Sequence, residues 1–216
     1  MTITWHGFSC FSIQMKIGAS KDEATIVIDP YENSTGLRFP RTLTADIVAV
    51  SEKHEHASNV EGVLGNPFVV KEPGEYEIKG IFVYGINAPR ENTKGKEDRM
   101  VFKIAGEGMS IAHLGALDRP LTDEELSHFE NVDILLLPVG GGEVLGPKNA
   151  NEIIGQIEPK IVIPMFYSIP NIKMKLEPIG NFLKVMGSKD EALPRLKITQ
   201  RDLPDEGVEV KVLSRD

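Results

Sequence analysis

The sequence predicts an α+β domain in which β-sheets are covered by helices, and three observations predict it. Short β-branched and alternating runs crowd the first half. The second half alternates apolar runs with segments of helical spacing. No linker, low-complexity tract or short-period repeat interrupts the 216 residues, so one domain over residues 1–216 is expected.

The elements follow in order. Cys10-Phe11-Ser12-Ile13-Gln14-Met15 alternates apolar and polar side chains, as a half-buried strand does. Thr25-Ile26-Val27-Ile28 is a β-branched run that stops at Asp29-Pro30, where proline disfavours helix in the residue before it. Runs at 47–50, 67–70, 81–84, 100–104 and 109–112 read the same way and are separated by glycine, proline or charge clusters. Thr122 is placed as an N-cap, with Glu125 completing a capping box. Ile134-Leu135-Leu136-Leu137 is apolar on both faces and predicts a buried central strand. Beyond Gly140-Gly141-Gly142, the residues Ala150, Ile153, Ile154 and Ile157 form one helical face, with Pro147 suited to the first turn. Ile161-Val162-Ile163 predicts a second buried strand and 179–186 a helical segment. Val208-Glu209-Val210-Lys211-Val212 predicts a closing strand.

Composition excludes several function classes. Lys and Arg number 24 against 32 Asp and Glu, a net charge of −8 that disfavours phosphate backbones and anionic membranes. No apolar run approaches the ~20 residues of a transmembrane helix. Met1-Thr2-Ile3-Thr4-Trp5-His6 lacks the features of a signal peptide. Cys10 is the only cysteine, which removes intrachain disulfides and thiolate zinc sites and favours a cytoplasmic location. A metal site must therefore draw on five histidines and the carboxylates.

His54-Glu55-His56 directly follows the run ending near Ser51. In an extended chain, residues two apart point the same way, so both imidazoles would face one point with Glu55 directed away. His113 closes another strand. Three histidines at strand ends form either an open metal site, with a water whose pKa the metal lowers, or a set of structural polar residues.

Ordered motifs narrow the reading. They begin with Trp5-His6-Gly7-Phe8-Ser9-Cys10-Phe11 and Ile28-Asp29-Pro30-Tyr31. Asp46-Ile47-Val48-Ala49-Val50-Ser51-Glu52-Lys53-His54-Glu55-His56 and Pro73-Gly74-Glu75-Tyr76 come next. Ala112-His113-Leu114-Gly115, Leu137-Pro138-Val139-Gly140-Gly141 and Pro159-Lys160-Ile161-Val162-Ile163-Pro164-Met165 complete the set. With these motifs the chain resembles the metallo-β-lactamase-fold superfamily, and within it the ascorbate-6-phosphate-lactonase-like group of zinc-dependent hydrolases. The resemblance implies an αββα four-layer sandwich. It also implies a metal site at His54, His56 and His113.

Measured against that resemblance, four ligand positions are altered. The family's HxHxDH motif reads His54-Glu55-His56-Ala57-Ser58-Asn59, so Ser58 stands for the aspartate and Asn59 for the last histidine. His113-Leu114-Gly115-Ala116 lacks the bridging aspartate at Ala116, and Phe166 replaces the late histidine. The early Gly-His-Ser element has become Gly7-Phe8-Ser9. The resemblance thus implies at most one zinc per chain, with the second-metal positions degenerate. Glu52, Glu75 and Glu143 are the candidate replacement carboxylates.

Asp29 is expected to hold its loop, Cys10 to pack in its strand, His128 to lie on the surface and His6 to be hydrogen-bonded. The glycine run is expected to make a tight passage or to offer N–H groups to an anion. Three functions stay open: a one-metal hydrolase of lactones or phosphoesters, an impaired member binding a small molecule or protein, and an interaction subunit. The partner expected is an unidentified small molecule, without nucleic acid or membrane, and a homo-oligomer is compatible with the sequence.

Overall fold

Alternation in the first half becomes strands, and each buries the face its pattern assigns. Here β1 is Thr2–Gly7, β2 Cys10–Lys16, β3 Glu23–Ile28, β4 Ile47–Ala49 and β5 Phe68–Val70. They are followed by β6 (Gly74–Ile78), β7 (Ile81–Asn87), β8 (Met100–Gly106) and β9 (Met109–His113). The second half supplies α1 (Asp123–Ser127), β10 (Ile134–Pro138), α2 (Pro147–Ile157), β11 (Ile161–Met165) and α3 (Ile179–Met186). Two-residue strands β12 (Leu196–Lys197) and β13 (Glu209–Val210) close the chain. This is a computed structural model, and it describes residues 1–18, 22–90, 99–189 and 191–216.

The strands form two mixed sheets. One runs β12-β1-β2-β3-β4-β5, antiparallel through β3 and parallel from β3 to β5. The other runs β13-β11-β10-β9-β8-β7-β6, antiparallel from β6 to β9 and parallel beyond. They meet face to face: Phe11 of the first sheet lies 6.1 Å, ring to ring, from His113 of the second. On β2, Phe11, Ile13 and Met15 are buried while Gln14 and Lys16 are exposed, as the alternation requires. β4 and β10 lie between neighbours and are buried throughout, which explains their unbroken apolar runs.

The sandwich of two mixed sheets is the architecture the motifs implied. Its α-helices are few and, among the described residues, all come from the second half. The links flanking β4 carry only single 3-10 turns, Asn33–Thr35 and Val60–Gly62. Gly62, Gly65 and Asn66-Pro67 leave the link to β5 little helix-forming sequence.

The predicted caps are present. Thr122 and Glu125 complete the capping box, although α1 ends after five residues, and Pro147 opens α2. The closing strand is shorter than expected, with only Glu209–Val210 paired.

Candidate functional site

The predicted residues gather where β4 and β11 end and beside the turn after β1. His54 to Ser58 is not extended. The Ala57 and Ser58 N–H groups both donate to the His54 carbonyl, at 2.9 and 3.0 Å, which winds the segment into a turn. The imidazoles still converge, with ring centres 4.1 Å apart, so the expected pairing arises from a turn rather than from strand alternation. Glu55 does face away, accepting the Ser34 hydroxyl at 2.7 Å. The Ser58 hydroxyl donates to the His54 carbonyl at 2.8 Å, and the Asn59 amide donates to the Tyr31 carbonyl at 2.9 Å. Both second-metal positions on this loop therefore tie down main chain.

His56 is 1% exposed, and its Nε2 hydrogen-bonds Glu52 Oε1 at 2.6 Å. Glu52 also meets the fully buried Arg99 at 3.4 Å and Arg90 at 3.6 Å, and Arg99 reaches on to Asp118 at 2.9 Å. Burial alone would raise the Glu52 carboxyl. The His56 hydrogen bond and the charges of Arg99, His56 and Arg90 outweigh it and hold the pKa at about 2. Glu52 is thus committed to a buried ion-pair chain rather than presented to an incoming metal. The sequence reading missed Arg99 and Asp118. The available signal was an arginine directly before the apolar strand Met100–Ile104, where burial demands a carboxylate partner.

His113 is held by main-chain groups. Its Nε2 lies 2.8 Å from the Ser9 carbonyl, and its Nδ1 accepts the Gly115 N–H at 3.2 Å. A carbonyl can only accept, so the network assigns the proton to Nε2 and fills both ring nitrogens. Burial lowers the pKa to about 4, which keeps the ring neutral at pH 7. Its ring neighbours are Phe11 and Phe102.

Phenylalanines occupy the space beside His56. Phe166 packs edge-on to His56 with ring centres at 5.1 Å, and Phe8 stacks on His56 at 6.1 Å. The two phenylalanines meet at 5.4 Å, and the Phe166 N–H donates to the Phe8 carbonyl at 3.1 Å. Both have left-handed backbones, φ 48° at Phe8 and φ 56° at Phe166, an uncommon conformation for bulky residues. Ala116 is buried and has no donor atom.

Below them Asp29 is fully buried, accepting the Ser51 N–H at 2.7 Å and the Ser51 hydroxyl at 2.8 Å. Burial raises its pKa to about 7 against the opposing hydrogen bonds from Ser51. The nearby Ser9 hydroxyl also favours the ionised form, although it reaches no partner with full hydrogen-bond geometry. Asp29 therefore holds the loop after β4, as expected.

Cys10 is buried in β2, and His128 is the exposed C-cap of α1. His6 hydrogen-bonds Ser12 at 2.8 Å. The glycine run is the tight passage: a Cβ on Gly140 would sit 2.1 Å from the Phe166 carbonyl oxygen. Glu75 and Glu143 are exposed.

These arrangements do not fit the zinc ion that the resemblance implied at His54, His56 and His113. His113 has no free nitrogen, and His56 has one nitrogen bound to Glu52. Glu52 and Asp29 are engaged by protein groups. Among the described residues, no group of three or more His, Cys, Asp or Glu side chains is arranged to hold a metal ion. Beside the turn lies instead a cleft of about 650 Å3, bordered by Ser51, Glu52 and Ser58.

Two mixed sheets with a candidate site at their strand ends define the class. A family model for the beta-lactamase superfamily domain matches residues 2–166, and the chain belongs to that superfamily. It is 28% identical over 203 residues to a UPF0173 metal-dependent hydrolase of Pelotomaculum thermopropionicum, covering 78% of this chain and 85% of the relative. A UPF0173 metal-dependent hydrolase of Methanoculleus marisnigri is 27% identical over 203 residues, covering 82% of this chain and 86% of that one. Among solved structures, a metallo-beta-lactamase superfamily protein of Thermotoga maritima superimposes with a TM-score of 0.78 at 31% identity, covering 99% of each chain. No described helix is long and apolar enough to cross a membrane.

Proposed function

We propose that this chain is a small-molecule-binding member of the superfamily that works without a metal centre. One observation carries the reading: both ring nitrogens of His113 are hydrogen-bonded to main-chain groups, Ser9 on one side and Gly115 on the other. Recruiting His113 as a ligand would break one of these buried bonds and strand its partner. The second-metal positions support the same reading, since Ala116 and Phe166 offer no donor while Ser58 and Asn59 hold main chain. The single cysteine and acidic composition accord with a cytoplasmic protein.

A mononuclear zinc hydrolase of lactones or phosphoesters is the second reading. The relatives named as metal-dependent hydrolases favour it, as does the pairing of His54 with His56, whose Nδ1 has no hydrogen-bond partner among the described residues. Two nitrogens fall short of the three protein ligands that a catalytic zinc takes.

Elemental analysis of untagged protein, followed by zinc titration and assays with a phosphodiester and a lactone, decides between them. Substoichiometric metal, weak zinc binding and no turnover are expected. One firmly bound zinc per chain with turnover would overturn the metal-free reading.

A further inference from the structure

We propose that the cleft beside the His54–His56 turn binds a small carboxylate carrying an apolar body. This inference rests on the reading of the chain as a small-molecule-binding member of its superfamily.

The cleft has a volume of about 650 Å3, within the range of small-molecule sites. One wall is apolar, while Ser51, Glu52, Ser58 and Asn87 line the rest. Val50 and Met100 are buried, and Val60 and Val69 are half-buried, so four aliphatic or thioether side chains meet the occupant there. The wall comes from the ends of β4, β5 and the start of β8, together with the 3-10 turn at Val60–Gly62. Such a surface gains from covering an apolar group.

The mouth carries charge. Lys53 and Lys71 are exposed, border the cleft and have no ion-pair partner among the described residues. Glu72 is an opposing unpaired carboxylate on the same rim. The other acidic lining residue, Glu52, is turned into the buried chain with His56 and Arg99. Among the described residues, two ammonium groups against one available carboxylate leave one positive charge uncompensated at the mouth of a cleft with an apolar wall. That combination selects a monoanion with a hydrophobic tail. It disfavours an amine, and the single excess charge gives a dianionic phosphate no advantage.

Calorimetry on untagged protein, with its metal content measured in the same samples, tests the proposal. Hexanoate, hexanol, hexylamine and hexyl phosphate are the probes. Hexanoate should bind at one site, more tightly than hexanol and much more tightly than hexylamine, with affinity falling as salt rises. Each rim charge is worth a few-fold, so the double variant Lys53→Gln/Lys71→Gln should weaken hexanoate about tenfold and leave hexanol unchanged. Arginine at both positions should restore hexanoate binding. Val69→Asp should weaken hexanoate and hexanol together.

Equal affinity for hexanoate and hexylamine would overturn the proposal. So would tighter binding of hexyl phosphate, or a double variant that binds hexanoate like the parent. No heat with any probe at millimolar concentration would also overturn it. Stoichiometric zinc in the samples would instead overturn the metal-free reading, whatever the probes do.

Discussion

Glu52 shows how far one side chain can depart from what its position suggests. As a neighbour of His54 and His56 it is a natural candidate metal carboxylate, yet it is 6% exposed and bound to His56, Arg99 and Arg90. Glu52→Gln keeps the shape and removes the charge, leaving Arg99 with Asp118 as its carboxylate among the described residues. Breaking one partner of a buried pair is strongly destabilising. A loss of about 3 kcal/mol is expected in urea unfolding. Phe166→His should lose a comparable amount, about 3 kcal/mol, because Phe8 and His56 lose their packing partner. Elemental analysis of that variant should show no gain of metal, since His113 remains closed on both nitrogens. At this scale sequence was a good guide to position: His54, His56 and Phe166 do meet. It could not show that His113 Nε2 faces the Ser9 carbonyl or that Glu52 meets Arg99, because those partners are distant in the chain.

Among the elements, the strongly patterned ones were the readable ones. β2, β10 and α2 each bury the face their periodicity assigns. β6 was not anticipated, because Gly74-Glu75-Tyr76-Glu77-Ile78 is a sheet edge with Glu75 and Glu77 in solvent and no residue fully buried. β12 is two residues long and is set by its partner β1, too short to leave a periodic signal. The loops after β10 and β11 supply an element-scale test. They approach so closely that a Cβ on Gly140 would overlap the Phe166 carbonyl oxygen, which is backbone and cannot swing aside. Gly140→Ala should therefore cost about 2 kcal/mol through forced separation of the loops. Near-ultraviolet circular dichroism should change with it, because Phe166, Phe8 and Tyr31 form one ring cluster. Gly155→Ala, where nothing lies within 4 Å of the added carbon, is the control and should be neutral or stabilising.

For the molecule as a whole, the buried titratable groups pull the pH dependence of stability in opposite directions. Burial lowers His6 and His113 from 6.5 to about 4. Between those values the unfolded chain takes up protons that the folded chain refuses, so stability falls as pH drops from 6.5 toward 4. Asp29 does the reverse. Burial raises it from 3.8 to about 7, so the folded chain keeps a proton that the unfolded chain has released. Its contribution is complete below pH 3.8 and is lost as pH rises through 7, a change of at most about 4 kcal/mol. Asp29→Asn removes only the second effect, and asparagine tolerates the left-handed backbone at φ 49°. Urea midpoints from pH 4 to 7 should rise more steeply in this variant than in the parent. An unchanged slope would show that Asp29 does not titrate in this range.

Arg99 has a consequence for how the molecule comes into being. The positive charge that faces Glu52 and Asp118 sits on a guanidinium, covalently part of the chain. An exchangeable ion must be captured from solution, competes with other ions and can be stripped away; a tethered cation arrives with the polypeptide. On the metal-free reading proposed above, assembly of this strand end does not depend on the ion supply of the surroundings. Refolding from urea should proceed at the same rate in chelator as in added zinc.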